Sequence, residues 1–214
     1  MDKRMIALAI VGAALLGAAG VATAATSLLY GQRMTIKNKL PEDESKNKIV
    51  FLAKDPQVVA GALGSSGDPT CSGAGGGGGS LTVTSQYSGQ TFTTTLPCTN
   101  WRSLRGGRGY KYSDRRGTSG PCKSVQILDG KLAKASCLGK GAAVLGFDLQ
   151  LGVPQNPVDV SLRIGTAPDV YCLSFGGVVR KNGTDAKTFL ARSAPPPVVL
   201  CSPSGAFLDG TAEF

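Results

Sequence analysis

The chain has 214 residues, a formal net charge of +9 at pH 7 and no histidine. The absence of histidine excludes Ser-His-Asp and Cys-His nucleophilic sites, histidine-ligated zinc, and the commonest general acid–base catalyst at neutral pH. The basic balance favours contact with polyanions, although it is also a common means of staying soluble.

The N-terminus has the three parts of a secretory signal peptide. Lys3 and Arg4 precede an apolar run over residues 5–21, and residues 22–24 read Ala-Thr-Ala, which are small residues that a signal peptidase accepts. We therefore predict a signal peptide over 1–24 and a secreted or periplasmic protein with no membrane span after cleavage. A retained transmembrane anchor is the alternative, because the apolar run is nearly long enough to cross a bilayer.

Residues 25–214 are predicted to form one all-β domain. Residues 1–24 carry a net +1, which leaves +8 on this part of the chain. Short alternating or β-branched runs recur between Gly, Pro, Asn and Asp, and we find no convincing amphipathic helix. The predicted fold is a disulfide-stapled antiparallel β-sandwich, with a β-barrel as the alternative. The predicted strands cover 34–36, 48–53, 81–85, 91–96, 110–112, the two arms of a hairpin over 122–137, 143–151, 158–164, 171–180, 187–191 and 198–201.

A Gly-rich segment near 61–80 interrupts the strand pattern, and its glycines are unbroken from 75 to 79. Such a run holds a fixed backbone only where its surroundings hold it. We interpret the segment as a flexible loop inside a ring closed by Cys71 and Cys98. The alternative is a boundary between a small N-terminal lobe and the main domain.

All six cysteines lie beyond the predicted signal peptide, which is typical of an oxidising compartment. Interpreting Asp129-Gly130 as a two-residue turn pairs Ile127 with Leu132 and finally Cys122 with Cys137, so the register closes on a disulfide. In that register the two cysteines face away from the core. Of the fifteen possible pairings, the simplest completion joins Cys71 to Cys98 and Cys172 to Cys201. Asn182-Gly183 predicts a second two-residue turn.

The candidate binding surface is the segment 101–116, which we call the basic segment. Arginine forks suit sulfate, phosphate or carboxylate groups, and Trp or Tyr faces suit sugar rings or bases. The alternative is that Trp101 packs in the core beside a disulfide while the arginines form a solvated loop edge. The predicted ligand-binding residues are Trp101, Arg102, Arg105, Arg108, Tyr110, Lys111, Tyr112, Arg115 and Arg116.

The remaining chemistry favours a protein that is not an enzyme. No serine has a nucleophile elbow and no two cysteines have C-x-x-C spacing, so we expect no cofactor and no metal. A glycosidase pair drawn from Asp148, Asp159 and Asp169 is the enzymatic alternative. We expect an exported binding module for anionic polysaccharides or other polyanions. The alternative is a structural or adhesive component of a cell envelope or extracellular assembly, which would self-associate through an edge strand.

Overall fold

The structure is a computed structural model that describes residues 26–38, 47–139, 145–166, 170–198 and 201. The predicted signal peptide lies outside the described residues. In the described ranges, no helix has the length and apolar character needed to span a membrane.

The described residues form a β-sandwich of two packed sheets that do not close into a barrel, which confirms the predicted fold class. The strands are β1 Thr26–Leu28, β2 Gly31–Lys37, β3 Lys48–Ala53, β4 Gly79–Ser85, β5 Thr91–Thr95, β6 Trp101–Ser103, β7 Gly109–Ser113, β8 Cys122–Leu128, β9 Leu132–Leu138, β10 Val158–Ile164, β11 Val170–Phe175, β12 Val178–Asn182 and β13 Thr188–Ala194. A five-stranded sheet has the order β1-β11-β10-β4-β5, and an eight-stranded sheet has the order β12-β13-β2-β3-β9-β8-β7-β6. All of these pairings are antiparallel except that of β1 with β11.

Period-two alternation explains why these segments pair as strands with one face inward. In β3, Ile49, Phe51 and Ala53 are fully buried, and the residues between them are only half-buried. The two sheets approach closely where β2 begins. A Cβ atom added at Gly31 would lie 2.6 Å from the ring of Phe175, which is on a strand of the other sheet, so only glycine fits there. The alternation therefore divides the eight-stranded sheet into a core face and an outer face.

Two of the predicted strands differ from the structure in instructive ways. Residues 145–150 bury Leu145, Phe147 and Leu149 in alternation, yet they form no ladder, and only Leu151 makes an isolated bridge to Asp185. The alternation there reflects burial without strand pairing. The predicted strand 171–180 is divided at Gly176-Gly177 into β11 and β12, which belong to different sheets.

Short segments account for the other differences. The structure adds β1 and β6, which are only three residues each. The described residues of 198–201 contain no strand. The second hairpin forms, but residues 183–187 make a five-residue connection between β12 and β13, not a two-residue turn.

The predicted Cys122–Cys137 disulfide is confirmed, but the hairpin reaches it by a different register. The connection is three residues long, with Gly130 at φ 60°, and Leu128 pairs with Leu132. A bulge at Lys123 then restores the pairing of the two cysteines. The same bulge turns Cys122 inward, so both cysteines are buried in the core, and the predicted outward orientation is wrong.

The other two disulfides, Cys71–Cys98 and Cys172–Cys201, are also confirmed. The ring closed by the first contains residues 71–80 of the Gly-rich segment, and residues 61–70 precede it. Asp68, which is fully buried, accepts hydrogen bonds from the backbone N–H groups of Gly64 and Thr70, both at 2.8 Å. Gly78 N–H donates to the Pro69 carbonyl at 2.8 Å. These hydrogen bonds join residues of the Gly-rich segment to one another before β4 begins.

Candidate functional site

The aromatic side chains of the basic segment are part of the core. Trp101 on β6 and Tyr112 on β7 are cross-strand partners that meet edge to face, with ring centroids 5.5 Å apart. Trp101 Nε1 donates to the Leu96 carbonyl at 3.1 Å, and the Tyr110 hydroxyl donates to the Gly61 carbonyl at 2.8 Å. The three side chains are between 1% and 6% exposed. They therefore offer no free face on which a sugar or base could stack.

The basic side chains of the same segment are exposed or half-buried, but they lie in three places. Arg102 and Lys111 are cross-strand partners on the outer face of the eight-stranded sheet. Arg105 and Arg108 occupy the connection between β6 and β7, and Arg108 carbonyl accepts a hydrogen bond from the N–H of Asp129. The remaining two, residues 115 and 116, follow β7 at its opposite end. The structure therefore does not gather all six charges at one point.

Asp114 organises the turn that carries Arg115 and Arg116. Its carboxylate accepts hydrogen bonds from the backbone N–H groups of Gly117, Thr118 and Ser119. Burial of this carboxyl opposes ionisation, but these hydrogen bonds outweigh it and hold the pKa of Asp114 below its usual value. The one acidic residue of the basic segment is therefore held in its ionised form by the turn that it organises.

The exposed charge of the segment continues across the whole eight-stranded sheet. Its strands contain no Asp or Glu, whereas they contain Arg33, Lys37, Lys48, Arg102, Lys111, Lys123, Lys134, Arg180, Lys181 and Arg192. We call the outer face of this sheet the basic face. It is defined by the seven cations that alternate with buried residues along their strands: Arg33, Lys37, Lys48, Arg102, Lys111, Lys134 and Arg192.

Several of these cations stand directly opposite one another. The register pairs Arg33 with Arg192, Lys37 with Lys48, and Arg102 with Lys111. Like charges directly opposite on adjacent strands destabilise a sheet, by up to about 1 kcal/mol a pair. Among the described residues, three such pairs therefore place like charges side by side on one face of the sheet.

The described carboxylates all lie off the eight strands of this sheet, and each accepts hydrogen bonds outside the basic face. Six lie in loops, where they accept bonds from backbone N–H groups or from an amide side chain, and one lies on the five-stranded sheet. These residues are Asp55, Asp68, Asp114, Asp129, Asp148, Asp159 and Asp185. Acidic residues therefore shape the connections, while basic residues occupy the sheet.

The centre of the basic face is a depression of about 360 Å³. Arg33 and Lys134 border it, Ser124 and Ser136 supply hydroxyl groups, and Val50 and Leu52 contribute to its lining. Ser124 and Ser136 are cross-strand partners, and Ser113 continues the hydroxyl row on β7. The depression thus combines two cations, two hydroxyl groups and an apolar lining.

The outer face of the five-stranded sheet differs in character. Thr82 and Thr93 pair through their hydroxyl oxygens at 3.2 Å, and Thr84 and Thr91 do so at 3.3 Å. The single acidic residue of this sheet, Asp159, is buried, and it accepts a hydrogen bond from the Gln86 side chain. Burial raises the pKa of the Asp159 carboxyl, against the hydrogen bonds that it accepts. The described strands of this sheet contain one cation, Arg163, and one carboxylate, whereas those of the eight-stranded sheet contain ten cations and no carboxylate.

The candidate catalytic carboxylates do not share a hydrogen-bonding network. Asp148 is exposed and accepts a hydrogen bond from the Asn38 side chain, whereas Asp159 bonds to Gln86. Asp169 lies outside the described residues. Within the described ranges, no group of three or more His, Cys, Asp or Glu side chains is placed to hold a metal ion.

Attention to the basic segment alone missed Arg33, Lys37, Lys48, Lys134 and Arg192. Lys134 and Arg192 are isolated in the sequence between apolar or hydroxyl residues, and Arg33 lies between Gln32 and Met34. Lys37 and Lys48 belong instead to the polar, charged stretch 37–48, where no alternation distinguishes them. The signal that could have found the other three is the alternation within strands, in which cations take the outward positions and acidic residues take none.

Comparison with protein-family models, with curated proteins and with solved structures finds no match for this chain. The fold of this chain and the arrangement of its charged residues are therefore the basis for inferring its function.

Proposed function

We propose that this protein is an exported, non-enzymatic binding module for anionic polymers, glycans among them. The observation that carries the proposal is the set of three like-charge pairs on the basic face, Arg33–Arg192, Lys37–Lys48 and Arg102–Lys111. A sheet that serves only as a scaffold gains stability when opposite charges alternate across its strands. The described strands instead place like charges opposite one another, and a bound anion would lower the repulsion between them.

Three disulfides fit an extracellular or otherwise oxidising compartment. Such compartments contain acidic polysaccharides and other polyanions at their surfaces. Exposed Arg and Lys side chains bind sulfate and carboxylate groups through charge-assisted hydrogen bonds. Arg105 and Arg108 of the basic segment extend the charged area beyond the sheet. The cations of this segment therefore belong to the proposed binding surface, whereas its aromatic residues belong to the core.

Retention on immobilised heparin tests the proposal. We expect residues 25–214 to elute from heparin at a higher salt concentration than from a sulfonate cation-exchange column of matched charge density. The triple variant Arg102→Gln, Arg105→Gln, Arg108→Gln should elute earlier. The control removes charge from two exposed loop lysines, Lys131→Gln and Lys187→Gln, and the shift in elution is compared per charge removed.

Equal elution of the wild-type protein from the two columns would contradict the proposal, because it would show ion exchange without recognition. Light scattering on the same samples addresses the structural or adhesive alternative. Self-association of the wild-type protein without any heparin preference would favour that alternative over polyanion binding.

A further inference from the structure

We infer that the ligand is a linear anionic polysaccharide that lies across the strands of the eight-stranded sheet, along a row of five cations seated over its central depression. This inference rests on the proposed function and specifies its ligand class and its binding track. The row consists of Arg102, Lys111, Lys134, Arg33 and Arg192, and we call it the basic row.

The register places these residues on one line. Neighbouring pairs link Arg102 to Lys111, Lys111 to Gln126, and Gln126 to Lys134. Further pairs then link Lys134 to Leu52, Leu52 to Arg33, and Arg33 to Arg192. The line therefore crosses seven consecutive strands, from β6 to β13, at one level of the sheet.

The length of the row follows from strand spacing. Six intervals of about 4.8 Å separate the first strand of the row from the last, so the row is about 29 Å long. Lys111, Lys134 and Arg33 stand two strands apart, about 10 Å from one to the next. A compact ion would contact one or two of these cations. Only an extended polyanion contacts all five at once.

Hydroxyl groups run beside the cations at the next level of the sheet. Ser113, Ser124 and Ser136 occupy three adjacent strands and are half-buried, whereas Thr35, at the same level on β2, is buried. A ligand rich in hydroxyl groups, with anionic groups at intervals, has partners for both rows. Polysaccharides that carry sulfate or carboxylate groups have this composition.

In the described strands, the same face has no aromatic platform for stacking, so it lacks what single-stranded nucleic acid requires, and it would hold a glycan through anionic and hydroxyl groups alone. Single-stranded nucleic acid binds through bases stacked on aromatic side chains as well as through phosphates. The five aromatic residues of the eight strands are all buried: Phe51, Trp101, Tyr110, Tyr112 and Phe189. The depression at the centre of the row can also admit a chain, whereas a flat bilayer surface could not enter it.

The test removes the two central cations, which lie outside the basic segment. Heparin binding by Arg33→Gln, Lys134→Gln is measured by titration calorimetry between 0.05 and 0.3 M salt, together with Lys131→Gln, Lys187→Gln as the charge-matched control. We expect the central variant to bind about tenfold or more weakly at physiological salt. Its log–log salt slope should fall by roughly 1.5, as for the loss of two ionic contacts. The control should keep the wild-type affinity within about twofold, and circular dichroism should show both variants folded.

Three results would overturn the inference while leaving the proposed function intact. The central variant and the control could weaken to the same extent, which would show that net charge alone governs binding. The loss could be confined to the Arg102, Arg105, Arg108 variant, which would place binding at the β6 end of the sheet and its adjoining loop and not along the row. Double-stranded DNA or phosphatidylserine vesicles could bind more tightly than heparin at equal salt, which would change the ligand class. Failure of the wild-type protein to bind any of these polyanions would instead remove the proposed function itself.

Discussion

Removing the Cys122–Cys137 disulfide tests how far the hairpin bridge acts through the core. In the chain-entropy description, closing a ring of 15 residues contributes about 3 kcal/mol, and closing a ring of 27 contributes about 3.5 kcal/mol. The sequence separations are 15 for Cys122–Cys137 and 27 for Cys71–Cys98. Ring closure alone therefore predicts that the hairpin bridge is the less costly of the two to remove.

Burial reverses that order. Cys122 and Cys137 are 1% and 0% exposed, whereas Cys71 is exposed. Deleting one methylene-sized group from a core costs about 0.5–1.5 kcal/mol, so the loss of two buried sulfur atoms adds roughly 1–3 kcal/mol. We expect the Cys122→Ala, Cys137→Ala variant to lose about 4–6 kcal/mol of unfolding free energy.

Guanidinium unfolding at pH 7, followed by the fluorescence of the single tryptophan, measures both double variants with the other disulfides oxidised. Cys71→Ala, Cys98→Ala is the control, with an expected loss of about 3.5 kcal/mol. A smaller loss for the hairpin variant than for this control would refute the argument that its sulfur atoms contribute core packing. Equal m-values are required for the comparison, because a changed slope reports a changed denatured state.

Two further predictions concern the buried aromatic residues. Because Trp101 packs in the core, Trp101→Ala should lower the unfolding free energy by about 3–5 kcal/mol. For the same reason, Trp101→Phe should keep the heparin affinity within about twofold of the wild-type value. A large loss of affinity in a stable Trp101→Phe protein would contradict the placement of this side chain in the core. Burial first, and then the negative charge of Asp68, raises the pKa of Tyr110 from 10.0 to about 12. At a pH below the pKa that Tyr110 has in the unfolded chain, this shift contributes its full stabilisation to the folded protein. The contribution is lost as the pH rises through the pKa of Tyr110 in the folded protein. Stability should therefore fall between about pH 10 and 12, and Tyr110→Phe should show a shallower decline in urea unfolding; parallel declines in the two proteins would assign the effect to other groups.

The fold class was predictable because it depends on local patterns. Strands 48–53 and 158–164 have the bounds that alternation and β-branching predict. The Cys122–Cys137 disulfide was predictable from the hairpin, whereas for the other four cysteines the sequence left the pairing open and sequential pairing was only the simplest completion. Residues 145–150 show the limit of this reasoning, because alternation reports burial and does not report whether a neighbouring strand is present to pair.

The hairpin shows how a correct result can follow from an incorrect register. The three-residue connection shifts every pair by one position, and the bulge at Lys123 shifts the cysteines back. Each change involves one backbone residue, and the amino-acid composition of the hairpin gives little indication of either. Their consequence is large, because the bulge decides that Cys122 faces the core.

The candidate site was likewise predictable from the sequence only in part. By itself the sequence determined that the chain is basic, that it lacks histidine, and that residues 101–116 combine arginine with aromatic side chains. Only the tertiary structure decided that the aromatic side chains enter the core while cations from β2, β9 and β13 join Arg102 and Lys111 on one face. The physical reason is that strand order is set by long-range pairing. Arg33 and Lys134 are 101 positions apart in the chain, yet one intervening strand separates them in the sheet.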